Sequence, residues 1–161
     1  MAIDEKDGLK EKLQGYKAKI TPTTRATLTW SRDLVFLGTT PQGYELELDA
    51  EAQWGCKPTE ALLMSLGGCM AIDIVSILKK MRMDISRFRI DIAGERNPDP
   101  PQYFKAVEMV FHLAGPNLNS SKIDRAIALS RDKYCSVYNS LRPDLTLTVR
   151  YTLEGTEAPP A

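Results

Sequence analysis

The sequence predicts an α+β fold in which antiparallel sheets pack on one long, buried central helix, and three observations lead there. The longest apolar run, residues 58–82 (PTEALLMSLGGCMAIDIVSILKKMR), is of helix length and apolar on nearly every face. Segments on either side of it alternate apolar and polar side chains with the period of a half-buried strand. Those strand segments follow one another directly instead of alternating with helices, an order that favours antiparallel neighbours over a doubly wound parallel sheet.

The elements follow in order. Residues 4–15 (DEKDGLKEKLQG) are charged, with apolar side chains only at Leu9 and Leu13, which suits a short amphipathic helix or a solvated arm. We take 1–16 as an N-terminal arm. KAKITPTTRATLTW and LVFLG are rich in β-branched and apolar residues and read as strands on either side of Ser31-Arg32-Asp33. TPQG reads as a turn into YELELDA, where Tyr44, Leu46 and Leu48 alternate with Glu45, Glu47 and Asp49. The central helix then opens on Pro58, which needs no N–H there, with Glu60 on the positive end of the dipole. It closes on Lys79, Lys80 and Arg82. We expect it to be a core helix, since Asp73 interrupts an apolar run that looks too short for a bilayer.

ISRFRIDIAGER and YFKAVEMVFHLAG form a hairpin across the turn NPDPPQ. Asn119 or Ser120 caps a helix through SKIDRAIALSRDKY, with Ile123, Ala126 and Ile127 buried. Cys135 sits at the end of that helix or at the start of a second one, CSVYNSLR, which Pro143 stops; LTLTVRYTLEG is the last strand, and 156–161 is a flexible tail. One domain spanning 1–161 is the simplest organisation. A helix apolar all round in so short a chain needs cover on both sides, from the later helix or from a second subunit, and points to a homodimer.

Composition removes several classes of function. Lys+Arg and Asp+Glu both number 21, so no net field recruits nucleic acid or an anionic membrane. The N-terminus lacks an apolar signal segment, and Cys56, Cys69 and Cys135 are too few and too odd a set for a disulfide scaffold; a cytoplasmic, reducing setting is expected. No CxxC, HExxH or paired-His spacing suggests a metal, and no Gly-rich loop suggests a nucleotide, so we expect neither metal nor cofactor. His112 sits in a strand and is assigned no role, and Cys56 is taken as incidental.

Cys69 and Cys135 are either packing or chemistry, because free cysteine also packs as a small hydrophobe. Gly67-Gly68 before Cys69 are poor helix residues and suggest the close approach of another backbone or a substrate. Cys135 falls at a helix junction with Arg131 and Lys133 nearby as possible thiolate partners. Asp73, one turn after Cys69, needs a partner of its own.

PTEALLMSLGGCMAIDIVSILKKM together with DKYCSVYNSL resembles the OsmC/Ohr family, the osmotically induced protein C and organic hydroperoxide resistance proteins, over about residues 22 to 153. Gly-Gly-Cys followed by AIDIVSIL is most similar to a less-characterised, OsmC-like branch. The resemblance implies an intertwined α+β homodimer that reduces small organic hydroperoxides without a cofactor. It implies that Cys69 is the peroxidatic thiol and Cys135 the resolving thiol, with an external dithiol as reductant. It further implies an activating arginine, for which Arg32 is the candidate and Arg25 the second choice. In the hydroperoxide enzymes a glutamate at the helix start holds that arginine. Thr59 stands at that position here, which leaves Glu60 or Asp73 for the task. The alternative on the same scaffold is a non-catalytic protein that binds a small molecule in an apolar pocket.

Overall fold

The computed structural model describes residues 22–154. The N-terminal arm, the beginning of the first expected strand segment and the tail lie outside the described residues. The chain divides into two compact units at Pro58/Thr59.

The first unit holds an antiparallel three-stranded sheet in the order β1 (Thr27–Arg32), β2 (Val35–Thr39), β3 (Glu45–Asp49). Asp33, at φ 41°, turns β1 into β2, and Gly43, at φ 86°, lies in the turn into β3. Trp30 pairs with Phe36, Phe36 with Leu48, and Gly38 with both Leu28 and Leu46. The alternation of side chains therefore collects these apolar residues on one face. After β3 the Asp49 carboxylate accepts the backbone N–H groups of Glu51, Gln53 and Trp54 at 2.8–2.9 Å. Those bonds, that from Trp54 foremost, hold its pKa below the usual carboxylate value.

The second unit is built on a sheet in the order β4 (Arg87–Arg96), β5 (Phe104–Ala114), β6 (Thr146–Glu154). Its inner face carries matched apolar rungs: Ile92, Met109 and Val149; Ile90, Phe111 and Tyr151; Phe88, Leu113 and Leu153. On this face lie α1 (Pro58–Lys80), through Leu66, Met70, Ile74 and Leu78, and α2 (Ser120–Leu129), through Ile123, Ala126 and Ile127. The outer face is charged, with Lys105 paired to Glu95, Arg87 to Glu154, and Arg150 to Glu108. There His112 bridges Asp91 and Thr152 at 2.8 Å each, a structural place across three strands. The helix boundaries follow local chemistry. Asn119 caps α2 by accepting the Lys122 N–H, as expected. Arg82, at φ 59°, closes α1, with Arg82 N–H on Lys79 and Met83 N–H on the Leu78 carbonyl, the bonding pattern of a left-handed helix cap.

Three expectations need correction. The second sheet is not wholly antiparallel, because β6 runs parallel to β5. The chain between them, residues 115–145, is long enough to carry it back across in the same direction. The helix after Asn119 is not continuous to Tyr134. It opens at Ser130 into a π-helical turn (Ser130–Tyr134), followed by a short 3₁₀ turn at Tyr138–Ser140 in place of the second helix. Nor is α1 too short for a bilayer: its 23 residues, with a mean hydropathy of 2.0 over the most apolar window, meet the length and composition of a span. Its seat on the sheet and its buried, hydrogen-bonded Asp73 mark it as a core helix.

Candidate thiol site

Cys69 and Asp73 are one helical turn apart in α1 and so lie on one face of it. That face meets the π-helical turn that follows α2. A π turn takes one more residue per hydrogen bond than an α turn, and here the Cys135 N–H reaches back to the Ser130 carbonyl at 2.7 Å. The Asn139 side-chain amide donates to the Arg131 and Cys135 carbonyls, at 3.2 and 2.9 Å, and so ties the turn across its length. The result is a cluster of three groups: the Cys69 and Cys135 sulfurs and an Asp73 carboxylate oxygen all lie within 4.8 Å of one another.

Their surroundings differ. Cys69 is half-buried and Cys135 fully buried. Asp73 is 3% exposed, and the Ser130 hydroxyl, itself fully buried, donates to its Oδ2 at 3.0 Å. Burial pushes the Cys135 thiol up to about 12, opposed by the Tyr138 N–H that points at its sulfur and reinforced by Cys69 and the Asp73 charge. At neutral pH this thiol therefore holds its proton. The expected thiolate partners are engaged elsewhere: Arg131 pairs with Asp132 at 2.6 Å, and Lys133 lies over the Tyr134 ring. Asp73 takes its hydrogen bond from a hydroxyl on the π turn.

Gly67 is explained by packing, since a methyl group there would run into the Ile92 side chain of β4; the close neighbour is a side chain and not another backbone. A methyl group at Gly68 would meet nothing. Thr59 is half-buried in the first turn of α1 and Glu60 is exposed. Arg32 and Arg25 belong to the first unit. There the Arg32 guanidinium stacks over Trp54, 5.1 Å from the ring centroid, on the loop that Asp49 pins. Cys56 is also in the first unit, bridged to Leu48 beside β3. The residues that sequence reasoning missed are Ser130, Asn139 and Trp54. A π turn has no spacing signature, and none of these residue types is diagnostic by itself.

With the fold and this geometry in hand, comparison with known proteins is informative. Residues 49–150 match the family model described as OsmC-like protein. Protein YhfA of Escherichia coli (strain K12) is 34% identical over 128 residues, which cover 79% of this chain and 96% of that protein. The crystal structure of an OsmC-like protein from Mycoplasma pneumoniae superposes with a TM-score of 0.72 at 19% identity, over 83% of this chain and 99% of that one. An organic hydroperoxide resistance protein OsmC from Legionella pneumophila does so with a TM-score of 0.60 at 16% identity, over the same shares of the two chains. At those identities the two structures speak for the fold alone. The family model and the bacterial relative carry the assignment, and the chain belongs to the OsmC-like family.

Proposed function

We infer that this protein is a thiol peroxidase that reduces small organic hydroperoxides through Cys69 and Cys135. The observation that carries this reading is the meeting of the two sulfurs, from distant parts of the chain, with one half-exposed and the other sealed. Cys69 is the thiol a peroxide reaches first. Its thiolate attacks the terminal peroxide oxygen, the O–O bond breaks, and the alkoxide leaves as the alcohol after taking a proton; Cys69 becomes a sulfenic acid. Cys135 then attacks the Cys69 sulfur, a disulfide forms and water departs. An external dithiol restores both thiols by exchange.

The high pKa of Cys135 makes the second step the demanding one. Asp73 is within reach of both sulfurs and is suited to take the Cys135 proton and return it to the departing hydroxide. To Arg32 we assign the positive charge that stabilises the Cys69 thiolate, with Arg25 as the second choice. The homodimer is supported by two exposed apolar faces. Met64 and Ile72 lie on α1, 56% and 48% exposed, and Leu28, Trp30, Phe36 and Leu46 on the β1–β3 sheet. A cytoplasmic setting fits a cycle that depends on a dithiol reductant. The non-catalytic, ligand-binding reading is favoured by one feature: Thr59 stands in place of the family's glutamate, while the Asp73 charge helps to hold Cys135 protonated.

The two readings separate when reduced protein is treated with cumene hydroperoxide, its thiols are counted and any cross-link is mapped by mass spectrometry. A Cys69–Cys135 disulfide that is absent in Cys69→Ser supports the enzyme; thiols unchanged at excess peroxide sink it. Asp73→Asn should slow disulfide formation by about 100-fold, the usual scale of general base catalysis, so that a dimedone-reactive sulfenic acid accumulates at Cys69.

A further inference from the structure

We propose that Cys69, Cys135 and Asp73 bind a thiophilic divalent cation of the zinc type, and that the bound ion and the Cys69–Cys135 disulfide are alternative cross-links of the same two thiols. The ligand set is two sulfurs and a carboxylate oxygen, all within 4.8 Å of one another. Tetrahedral zinc, with Zn–S bonds of about 2.3 Å and a Zn–O bond of about 2.0 Å, places its sulfurs about 3.8 Å apart and each sulfur about 3.5 Å from the oxygen, so no pair needs to close by more than about 1.3 Å, within the reach of side-chain rotation. Soft thiolates select against calcium and magnesium, which take hard oxygen ligands in larger number. Three protein ligands leave the fourth position to water, on the side where Cys69 is half-exposed.

Two contacts outside the ligand set resemble the outer support of a metal centre. The buried Ser130 hydroxyl orients the Asp73 carboxylate, and the Tyr138 N–H points at the Cys135 sulfur at 3.4 Å. The electrostatics agree. Ionising both thiols beside the carboxylate would gather three negative charges in a buried space, and a divalent cation offsets two of them. On binding, each thiol releases one proton and Zn²⁺ takes the two sulfurs and the carboxylate oxygen, leaving the site with a net charge of −1. No redox change occurs. A disulfide consumes both sulfur ligands, so oxidation expels the ion and the ion blocks oxidation. That last consequence rests on the peroxidase reading; the binding site does not.

The test uses full-length reduced protein under anaerobic conditions, titrated with Cd²⁺ as a spectroscopic stand-in for zinc and then with Zn²⁺ in competition with a chromophoric chelator. One ion per chain is expected, with sulfur-to-cadmium charge-transfer absorption, and ¹¹³Cd NMR of the unsubstituted protein should report two sulfur ligands with oxygen completing the shell. Cys56→Ser should leave both signals intact. Cys69→Ser and Cys135→Ser should each halve the absorption, and Asp73→Asn should weaken binding at least ~10-fold. Lack of stoichiometric binding, a spectrum of any other sulfur count, or loss of binding in Cys56→Ser would overturn the site. Zinc-loaded and metal-free protein are then compared under cumene hydroperoxide, with at least tenfold slower thiol loss expected in the loaded form. Equal, rapid loss with the ion retained overturns the blocking role. Stoichiometric binding to thiols that stay inert to peroxide without metal upholds the site and removes the peroxidase reading instead.

Discussion

The two sheets are written in the same code and meet different fates. Each alternates apolar and polar side chains along its strands. In the β4–β6 sheet the apolar face is covered by α1 and α2, and Phe111 at its centre is 0% exposed. In the β1–β3 sheet the same kind of face leaves Trp30 65% and Phe36 41% exposed. A sheet needs a cover for its apolar face, and the helices among the described residues lie on one sheet. The covered sheet holds a core and carries the cluster of Cys69, Asp73 and Cys135 beside it. The uncovered one has the character of an interface, which is why we read the protein as a dimer.

That contrast can be broken, and the largest effect is expected in the covered sheet. Phe111→Ala should destabilise the protein by about 3–5 kcal/mol, the range for truncating a buried aromatic. It should appear as a lower urea midpoint at every protein concentration, and an unchanged midpoint would mean that the covered face is not a core. The double substitution Trp30→Ser with Phe36→Ser should act on assembly instead, weakening association by about 2 kcal/mol or more, as removal of central aromatic anchors does. Sedimentation equilibrium should then find the unsubstituted protein as dimer and the variant as monomer, and dimer in both would remove the interface role of this face.

A third, smaller effect sharpens the contrast through thiol chemistry. Covering the sheet also buries Cys135 and moves its pKa from 9.0 to about 12. Between those values the folded state keeps a proton that the unfolded chain has lost. The associated stability is therefore whole below about pH 9 and falls as pH rises towards 12, at up to about 1.4 kcal/mol per pH unit. Metal-free, reduced protein should lose urea resistance over this window faster than Cys135→Ser does. Parallel loss in the two proteins would show that the thiol is not shielded.

Most of the fold was legible because it rests on periodicity. The apolar run 58–82 became α1, and the alternation in RFRIDIAGER and FKAVEMVFHLA became β4 and β5 in the expected hairpin. The direction of β6 was not legible, since alternation gives a strand its faces and says nothing about which way it runs. The break at Ser130 was equally hidden. Arg131 and Lys133 beside Cys135 looked like thiolate partners only because nearness in sequence was taken for nearness of charge. The turn sends Arg131 to Asp132 and Lys133 to Tyr134, and brings Ser130 to Asp73.

The Gly-Gly-Cys helix can now be weighed from both sides. By itself the sequence determined that a long apolar helix carries Cys69 and, one turn on, a carboxyl that needs a partner, because helical spacing is a local property. It also singled out Cys135 as the second thiol. Only the tertiary structure decided that the sulfurs and the Asp73 carboxyl meet within 4.8 Å, that Cys69 keeps an opening while Cys135 does not, and that Ser130 is Asp73's hydrogen-bond donor. Those outcomes depend on how α1 and the π turn pack on one sheet, and packing is settled by shape and burial among residues far apart in the chain.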